Sequence, residues 1–371
     1  MKNGKFPRVA IVHDWLVGGG AERVVEQLHK LYPDAPIYAS YATKDWRQKL
    51  NSKVVTGYLQ RWPFLKLRKF IPFLRGWWFS RLNFTGYDLV ISSSGAEAKF
   101  IKIKSPTLHV AYIHAPTHYY WDRYDDYLKH PGFGPFNWLA RIGLKLLVGP
   151  MRRWDYCAAQ RPDYLIANST YTKEMIKKYY HRDSAVIHPP VDVERFSLSA
   201  IHSPLSTKRT GFVCAGRQTP YKRIDLAVAA CSKLNLLLNV IGDGPEHNNL
   251  VKMAGPTIKF ITNAKDPDMP EFFQQAEAFI FPGLDDFGIV AVEAMAAGTP
   301  VIAFKGGGAL DYITEGKTGL FFDKPTADSL IEALQKFNSQ KFDSKTIRKA
   351  AEAFSPKKFR DNLNLLVKSL Q

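Results

Sequence analysis

Apolar and polar positions along this chain fall into two alternating kinds of segment. Short apolar runs of strand length recur at Val9-Ala10-Ile11-Val12, Leu89-Val90-Ile91, Leu108-His109-Val110-Ala111, Tyr164-Leu165-Ile166 and Ala185-Val186-Ile187. A second series follows at Phe212-Val213-Cys214, Leu238-Asn239-Val240-Ile241, Ile258-Lys259-Phe260, Ala278-Phe279-Ile280-Phe281 and Val301-Ile302-Ala303. Helical patterns separate most of them, such as Val24, Val25, Leu28 and Leu31 after Gly18-Gly19-Gly20. This alternation predicts an α/β fold of doubly wound sheets. Two prolines in His188-Pro189-Pro190-Val191-Asp192 break any regular element, and Leu198 to Thr210 is polar and reads as a loop. A domain junction is therefore expected between residues 187 and 210, with an N-terminal domain over 1–187 and a C-terminal one over 188–355. Pro356 to Gln371 reads as an amphipathic helix with Phe359, Leu363, Leu366 and Leu370 on its apolar face.

The length of 371 residues suits two domains, and 46% hydrophobic with 23% charged residues is ordinary for a globular chain. The 3 cysteines, Cys157, Cys214 and Cys231, have no pairing or metal-ligand spacing, so a reducing compartment is expected. The first apolar run is too short for a signal peptide, and no stretch reaches the length of a spanning helix. Charge changes the picture more. The net charge is +17, and from Lys53 to Lys104 the only acids are Asp88 and Glu97. That excess implies an anionic partner: a membrane surface, a phosphorylated lipid or nucleic acid.

The segment from Asp285 to Ala303 carries the densest chemistry. Phe287-Gly288 reads as the start of a helix, Gly298 as the residue that ends it, and Val301 to Phe304 as a strand. A helix start offers unpaired N–H groups and partial positive charge, so Phe287, Gly288, Ile289 and Val290 could hold a diphosphate through backbone alone. Asp285 precedes that site and Glu293 follows it, about 12 Å apart if the span were all helical. Carboxylates so placed can accept hydrogen bonds from sugar diols. A capped surface helix with no ligand explains the same residues.

Other candidates are individually weaker. Arg217 follows a strand end and Lys222 lies five residues on, so the two could clamp a diphosphate; a solvated basic loop is the plainer reading. Gly19 and Gly20 could let backbone approach a phosphate or sugar, or simply make a tight turn; no Walker loop is present. His114 follows a strand end, where ligands gather in open α/β sheets, and could bond a sugar hydroxyl or be structural. His13 and His118 are similar. Asp266-Pro267-Asp268 has metal-site spacing but precedes a helical pattern, which favours capping. Two segments suit a membrane surface: Tyr58–Phe79, with Arg61, Trp62, Lys66, Arg68, Lys69, Trp77 and Trp78, and Phe133–Trp154, with Trp138, Leu146, Leu147, Arg152 and Arg153. A basic, partly buried helical pair in the core is the alternative.

In order, these motifs resemble the retaining GT-B glycosyltransferases of glycosyltransferase family 4, over nearly the whole chain. His13-Asp14-Trp15-Leu16, Asp286-Phe287-Gly288-Ile289-Val290 and Gly307-Gly308-Ala309-Leu310 are most similar to its bacterial mannosyltransferases. The resemblance implies two Rossmann-like domains facing a cleft, with the donor mostly on the second and residues 356–371 returning to the acceptor-side first. It implies Arg217 and Lys222 on the donor diphosphate, Glu293 on its ribose, the position before the helix on the transferred sugar, and His114 on that sugar's hydroxyls. Where the family has glutamate at that position, this chain has Asp285, one methylene shorter.

The expectation is hexose transfer, with mannose from GDP-mannose, to a lipid-linked or polysaccharide hydroxyl with retained configuration. His114, Arg217, Lys222 and Asp285 would be the catalytic set, with no cofactor and no metal required. The setting would be cytoplasmic, at the inner face of the cell membrane, on an anionic surface, with no nucleic acid partner. A UDP-sugar-dependent glucosyl- or N-acetylglucosaminyltransferase, a GT-B epimerase and a basic nucleic-acid-binding protein remain alternatives.

Overall fold

A computed structural model describes residues 8–64, 72–132, 134–202, 209–338 and 340–370. The chain divides into two compact units, Met1–Pro189 with Phe359–Gln371, and Pro190–Lys358. Each is built on one parallel sheet with helices packed against it, the GT-B architecture of two Rossmann-like units.

The first sheet holds β1 (Val9–His13), β2 (Ile37–Ala39), β3 (Val54–Thr56), β4 (Leu89–Ser94), β5 (Leu108–Ile113), β6 (Tyr164–Ala167) and β7 (Ala185–Val186). Their spatial order is β3-β2-β1-β4-β5-β6-β7. The second holds β8 (Phe212–Ala215), β9 (Leu238–Ile241), β10 (Ile258–Ile261), β11 (Ala278–Phe281), β12 (Val301–Phe304) and β13 (Gly319–Phe322), in the order β10-β9-β8-β11-β12-β13. Each order reverses once, between β1 and β4 and between β8 and β11. Ligands collect at such reversals, outside the carboxyl ends of the strands.

The two-residue period of each strand sorts its side chains into two cores. In β1, Val9 and Ile11 pack with the helix Gly20–Leu31 and with Phe359, Leu363 and Val367 of the terminal helix. Ala10 and Val12 face the other side, against Phe79, Phe84 and Phe100. In the second unit Phe212 and Cys214 join one core, while Val213 and Ala215 join the other.

Leu198 to Thr210 is not all loop. A helix covers Val193–His202, because Val193 and Phe196 bury in the second core while Ser197 bonds the Ala296 carbonyl at 3.1 Å. Residues 203–208 lie outside those described.

His109 on β5 is 1% exposed, with Nε2 2.9 Å from the Ser92 hydroxyl. Burial, then the nearby Arg182 and Arg161, push its pKa down to about 3. The folded chain therefore stays unprotonated there while the unfolded chain takes up a proton below about pH 6.5. Stability is intact above that value and falls as pH drops toward 3. Between pH 6.5 and 4.5 this one group should remove about 2 to 3 kcal/mol. Urea unfolding at both pH values should show a correspondingly smaller loss for His109→Gln than for the wild type; equal losses would refute the assignment.

Candidate functional site

At the β1/β4 reversal of the first unit lies a cavity of about 210 Å³, lined by His13, Asp14, Trp15, Glu22, His114, Tyr119 and their neighbours. Buried strands deliver these residues to a common edge. His13 ends β1, and His114 follows the last residue of β5. Ser93 of β4 links them: its hydroxyl lies 2.7 Å from His114 Nε2 and 3.2 Å from His13 Nδ1. Asp14 is 4% exposed and accepts N–H bonds from Gly95 (2.7 Å), Ala96 (3.0 Å) and Ala98 (2.6 Å). It therefore ties the end of β1 to the loop after β4. Glu22 accepts the backbone N–H groups of Val17 (3.2 Å) and Gly18 (3.0 Å), which fixes the glycine turn through Gly19 into the helix at Gly20. Aromatic walls with a few placed polar groups suit a sugar ring.

Two buried ion pairs stand behind this cavity. Lys99 and Asp155 are 0% exposed and 2.8 Å apart. Lys99 also donates to the Ala96 carbonyl and Thr117; Asp155 also accepts from Thr117, Trp121 and Tyr180. Arg75 donates twice to Glu97, at 2.8 and 3.0 Å, and the Tyr119 hydroxyl donates to the same carboxylate. Burial pulls the Arg75 pKa down; the Glu97 charge outweighs that and pushes it up, so the guanidinium stays protonated. Both Lys99 and Arg75 fall in the stretch whose cations suggested an anionic partner. They are internal counter-ions and contribute nothing to such a surface.

The second unit places its candidates at the β8/β11 reversal. Arg217 is exposed just past β8. Lys222 ends the short turn Pro220–Lys222 and is ion-paired with Asp285, which is 8% exposed just past β11. Gln218 anchors the loop between the two cations, giving a 2.6 Å bond to the Gly242 carbonyl and taking one from His247 at 2.9 Å. Gly288, at φ 88°, starts the helix Ile289–Ala296; the stretch from Asp285 to Gly288 is loop, so the span expected from an all-helical rise does not apply. The Gly308 N–H donates to the Asp285 carbonyl at 2.9 Å, and a Cβ on Gly308 would collide with the Phe287 backbone. The Phe287 side chain is core, 5.5 Å ring to ring from Tyr312 and 5.6 Å from Phe354, so only its backbone is available to a ligand. Ile289 and Val290 are half-buried at the helix start, where the first N–H groups have no acceptor within the helix, while the Ala291 N–H already donates to the Gly288 carbonyl at 3.0 Å. Glu293 is 6% exposed. The Arg195 guanidinium is partly desolvated, but Asp266 first and then Glu293 hold it protonated. Asp268 accepts the Lys265 N–H at 2.9 Å and so closes the short turn Asp266–Asp268; its side chain makes no cap bond to the following helix Met269–Gln275, the role that the sequence pattern favours.

The membrane candidates separate. Arg61 is exposed, Trp62 is 77% exposed and Trp77 44%, while Trp78 is half-buried against Gly57. Lys66, Arg68 and Lys69 lie outside the described residues. Asp14, Glu22, Glu97, Lys99 and Asp155 were missed as site-forming residues. An acid directly after the first buried strand, and another just after a triple glycine, were the available signals for Asp14 and Glu22.

The fold is shared with Anabaena HepE, solved in complex with UDP and glucose, at a TM-score of 0.67 and 16% identity over 98% of this chain and 100% of that one. A D-inositol 3-phosphate glycosyltransferase of Streptomyces avermitilis is 29% identical over 187 residues, 42% of this chain and 40% of that protein. A GDP-mannose-dependent alpha-(1-6)-phosphatidylinositol monomannoside mannosyltransferase of Mycolicibacterium smegmatis is 29% identical over 192 residues, 45% and 50%. The matched part is thus about half or less of these relatives' length. Residues 18–195 match the family described as Glycosyltransferase Family 4, and residues 201–354 the family described as Glycosyl transferases group 1. With one such domain on each of its two Rossmann-like units, the chain belongs to the GT-B glycosyltransferases.

Proposed function

We propose that this chain transfers a hexose, mannose from GDP-mannose, to a hydroxyl of a lipid-linked or polysaccharide acceptor at the inner face of the cell membrane, with retention of configuration. The observation that carries the reading is the Lys222–Asp285 pair at the β8/β11 reversal, immediately before the helix start at Gly288. It supplies a cation for a diphosphate and a carboxylate for a sugar within one contact. The mannosyl donor draws on the M. smegmatis relative, whose name specifies GDP-mannose.

On this reading Arg217, Lys222 and the first-turn N–H groups bind the diphosphate, and Glu293 takes the ribose hydroxyls. Asp285, or its neighbour Asp286, and His114 take hydroxyls of the transferred sugar. The acceptor oxygen forms the new bond to the anomeric carbon as the bond from that carbon to the diphosphate breaks. The acceptor's proton passes to the departing diphosphate oxygen, giving the glycoside and GDP. Lys222 and Arg217 stabilise the charge that develops on the leaving oxygen. On this reading these two cations and the helix start share that charge, and no metal is invoked.

Lys222→Ala should lower kcat by about 10²- to 10³-fold in protein that circular dichroism shows to be folded. Wild-type turnover in that folded variant would remove Lys222 from the diphosphate site. Calorimetric titration should show GDP and GDP-mannose binding, with the Kd for GDP raised about tenfold or more in Glu293→Gln. Preference for UDP and UDP-glucose would keep the transferase and overturn mannose. Binding of none of the four by folded protein would overturn the donor site altogether.

A further inference from the structure

The helix Asn137–Ala159 leads two lives. Its last turns are buried in the first unit: Trp154 packs edge-on against Phe100 at 4.6 Å and lies against Gly76, and Asp155 is the buried partner of Lys99. Its first turns bury almost nothing. Trp138 is 61% exposed, Leu139 53%, Ile142 48%, Leu146 72% and Leu147 55%, and Phe136 just before the helix is 64% exposed. Trp138, Ile142 and Leu146 repeat at four-residue spacing, which sets them along one side of a helix. From Asn137 to Trp154 the sequence has no acid, and carries Arg141, Lys145, Arg152 and Arg153. Arg152 is turned inward onto the Tyr120 carbonyl and the Trp121 and Tyr124 rings, while Lys145 and Arg153 are exposed.

We infer that the first turns of this helix lie on an anionic lipid surface, with Trp138, Leu139, Ile142 and Leu146 in the acyl boundary and Lys145 at the headgroups. This rests on the membrane setting proposed above and names the element that makes the contact. The chemistry selects lipid: a large apolar face bordered by cations and free of acids matches a bilayer whose surface is negative and whose interior is apolar. No helix among the described residues is long and apolar enough to cross a membrane, so this one lies along it. The long stems of lysine and arginine let their charges stay in water while the helix beds down.

The inference also gives the contact a use. From Trp138 to Asp155 the helix rises about 25 Å. Asp155 holds Lys99, and Lys99 holds the Ala96 carbonyl in the cavity wall. One helix, with Pro150 inside it, therefore connects the lipid face to the wall of the His114 cavity. An acceptor anchored in the bilayer would meet that cavity at a fixed height, rather than having to be extracted from the membrane.

The test is co-sedimentation of the full chain with vesicles of phosphatidylcholine, with and without phosphatidylglycerol. The wild type should bind the anionic vesicles and release them at high salt. Leu139→Glu/Leu146→Glu should lose at least about tenfold in partitioning. Its melting temperature and its calorimetric affinity for GDP should stay at the wild-type values. Leu146→Gln, at the most exposed of these positions, should show a smaller loss and serves if the double variant does not fold. Failure of the wild type to bind anionic vesicles would overturn the inference. So would unchanged binding by the variants, or binding lost only on replacing Trp62 and Trp77. A variant that binds lipid normally but no longer self-associates in sedimentation would mean the face meets a second copy instead. GDP titration is read separately from vesicle binding, so a failed membrane contact and a failed donor site give different results.

Discussion

Everything functional in this chain hangs on a constraint of parallel sheets. Where the strand order reverses, the segments leaving two adjacent strands turn to opposite faces, and no regular element fills the gap between them. Polar groups at that gap must be satisfied by loops or by a ligand. The first unit answers mostly with its own side chains: Asp14 takes three N–H groups of the loop after β4, and Ser93 joins His13 to His114. The second answers with one ion pair, Lys222 and Asp285, on either side of its gap. The same topology thus gives a walled cavity in one unit and a charged, phosphate-suited edge in the other.

The buried pairs behind the first cavity are better understood as positioning than as stability. Desolvating two charges costs several kcal/mol for each ion, and apolar residues of similar volume would hold a core about as well. What apolar residues could not do is choose. Lys99 selects one place for the Ala96 carbonyl, and Asp155 selects single orientations for Thr117, Trp121 and Tyr180. The bidentate Arg75–Glu97 pair fixes the Tyr119 hydroxyl in the same way. Both pairs attach loops at the ends of β4 and β5, so the side chains that line the cavity are set before any ligand arrives. Losing one partner would leave the other charged and buried, a far larger penalty than the net worth of the pair.

Which parts of this could be read from the sequence follows from the range of the interactions. The helix and strand between Gly288 and Phe304 were legible because every signal is local: two glycines at the ends, a proline behind, and an apolar run after it. Most of the other strands were legible for the same reason, as apolar runs of three or four residues from Val9–Val12 to Val301–Ala303. β2, β3 and β13 were not read: β2 and β3 are three residues each and exist because β1 and β2 pair with them, and β13 extends the sheet only by pairing with β12. The polar tail of the helix Val193–His202 read as loop because its support is the buried Val193 and Phe196 at its start. Lys99 and Arg75 were the hardest. Charge counting treats every cation as surface, and only the fold brings Asp155 to the one and aligns Glu97 with the other. The helix Asn137–Ala159, which lies outside that count, carries exposed cations over a stretch, Asn137 to Trp154, with no acid.

The Lys222–Asp285 pair sets how a donor would be held. Each group is the other's counter-charge, and Asp285 is nearly buried, so this spot presents little net charge to an approaching anion. On the proposed reading, long-range attraction must come from elsewhere: the exposed Arg217 and the helix start at Gly288. Once the diphosphate is in place, Lys222 divides its donors between phosphate and carboxylate. Each bond it gives to phosphate releases acceptor capacity on Asp285, which hydroxyl donors of the sugar can use. Binding the diphosphate and orienting the sugar are then one event. An isolated phosphate would draw the lysine away and leave a nearly buried carboxylate short of donors, whereas a complete nucleotide-sugar replaces what it takes. The shorter Asp285 fits this division, because its carboxylate stays close to its own backbone, which Gly308 clamps. Discrimination for the intact donor therefore follows from the ion pair itself.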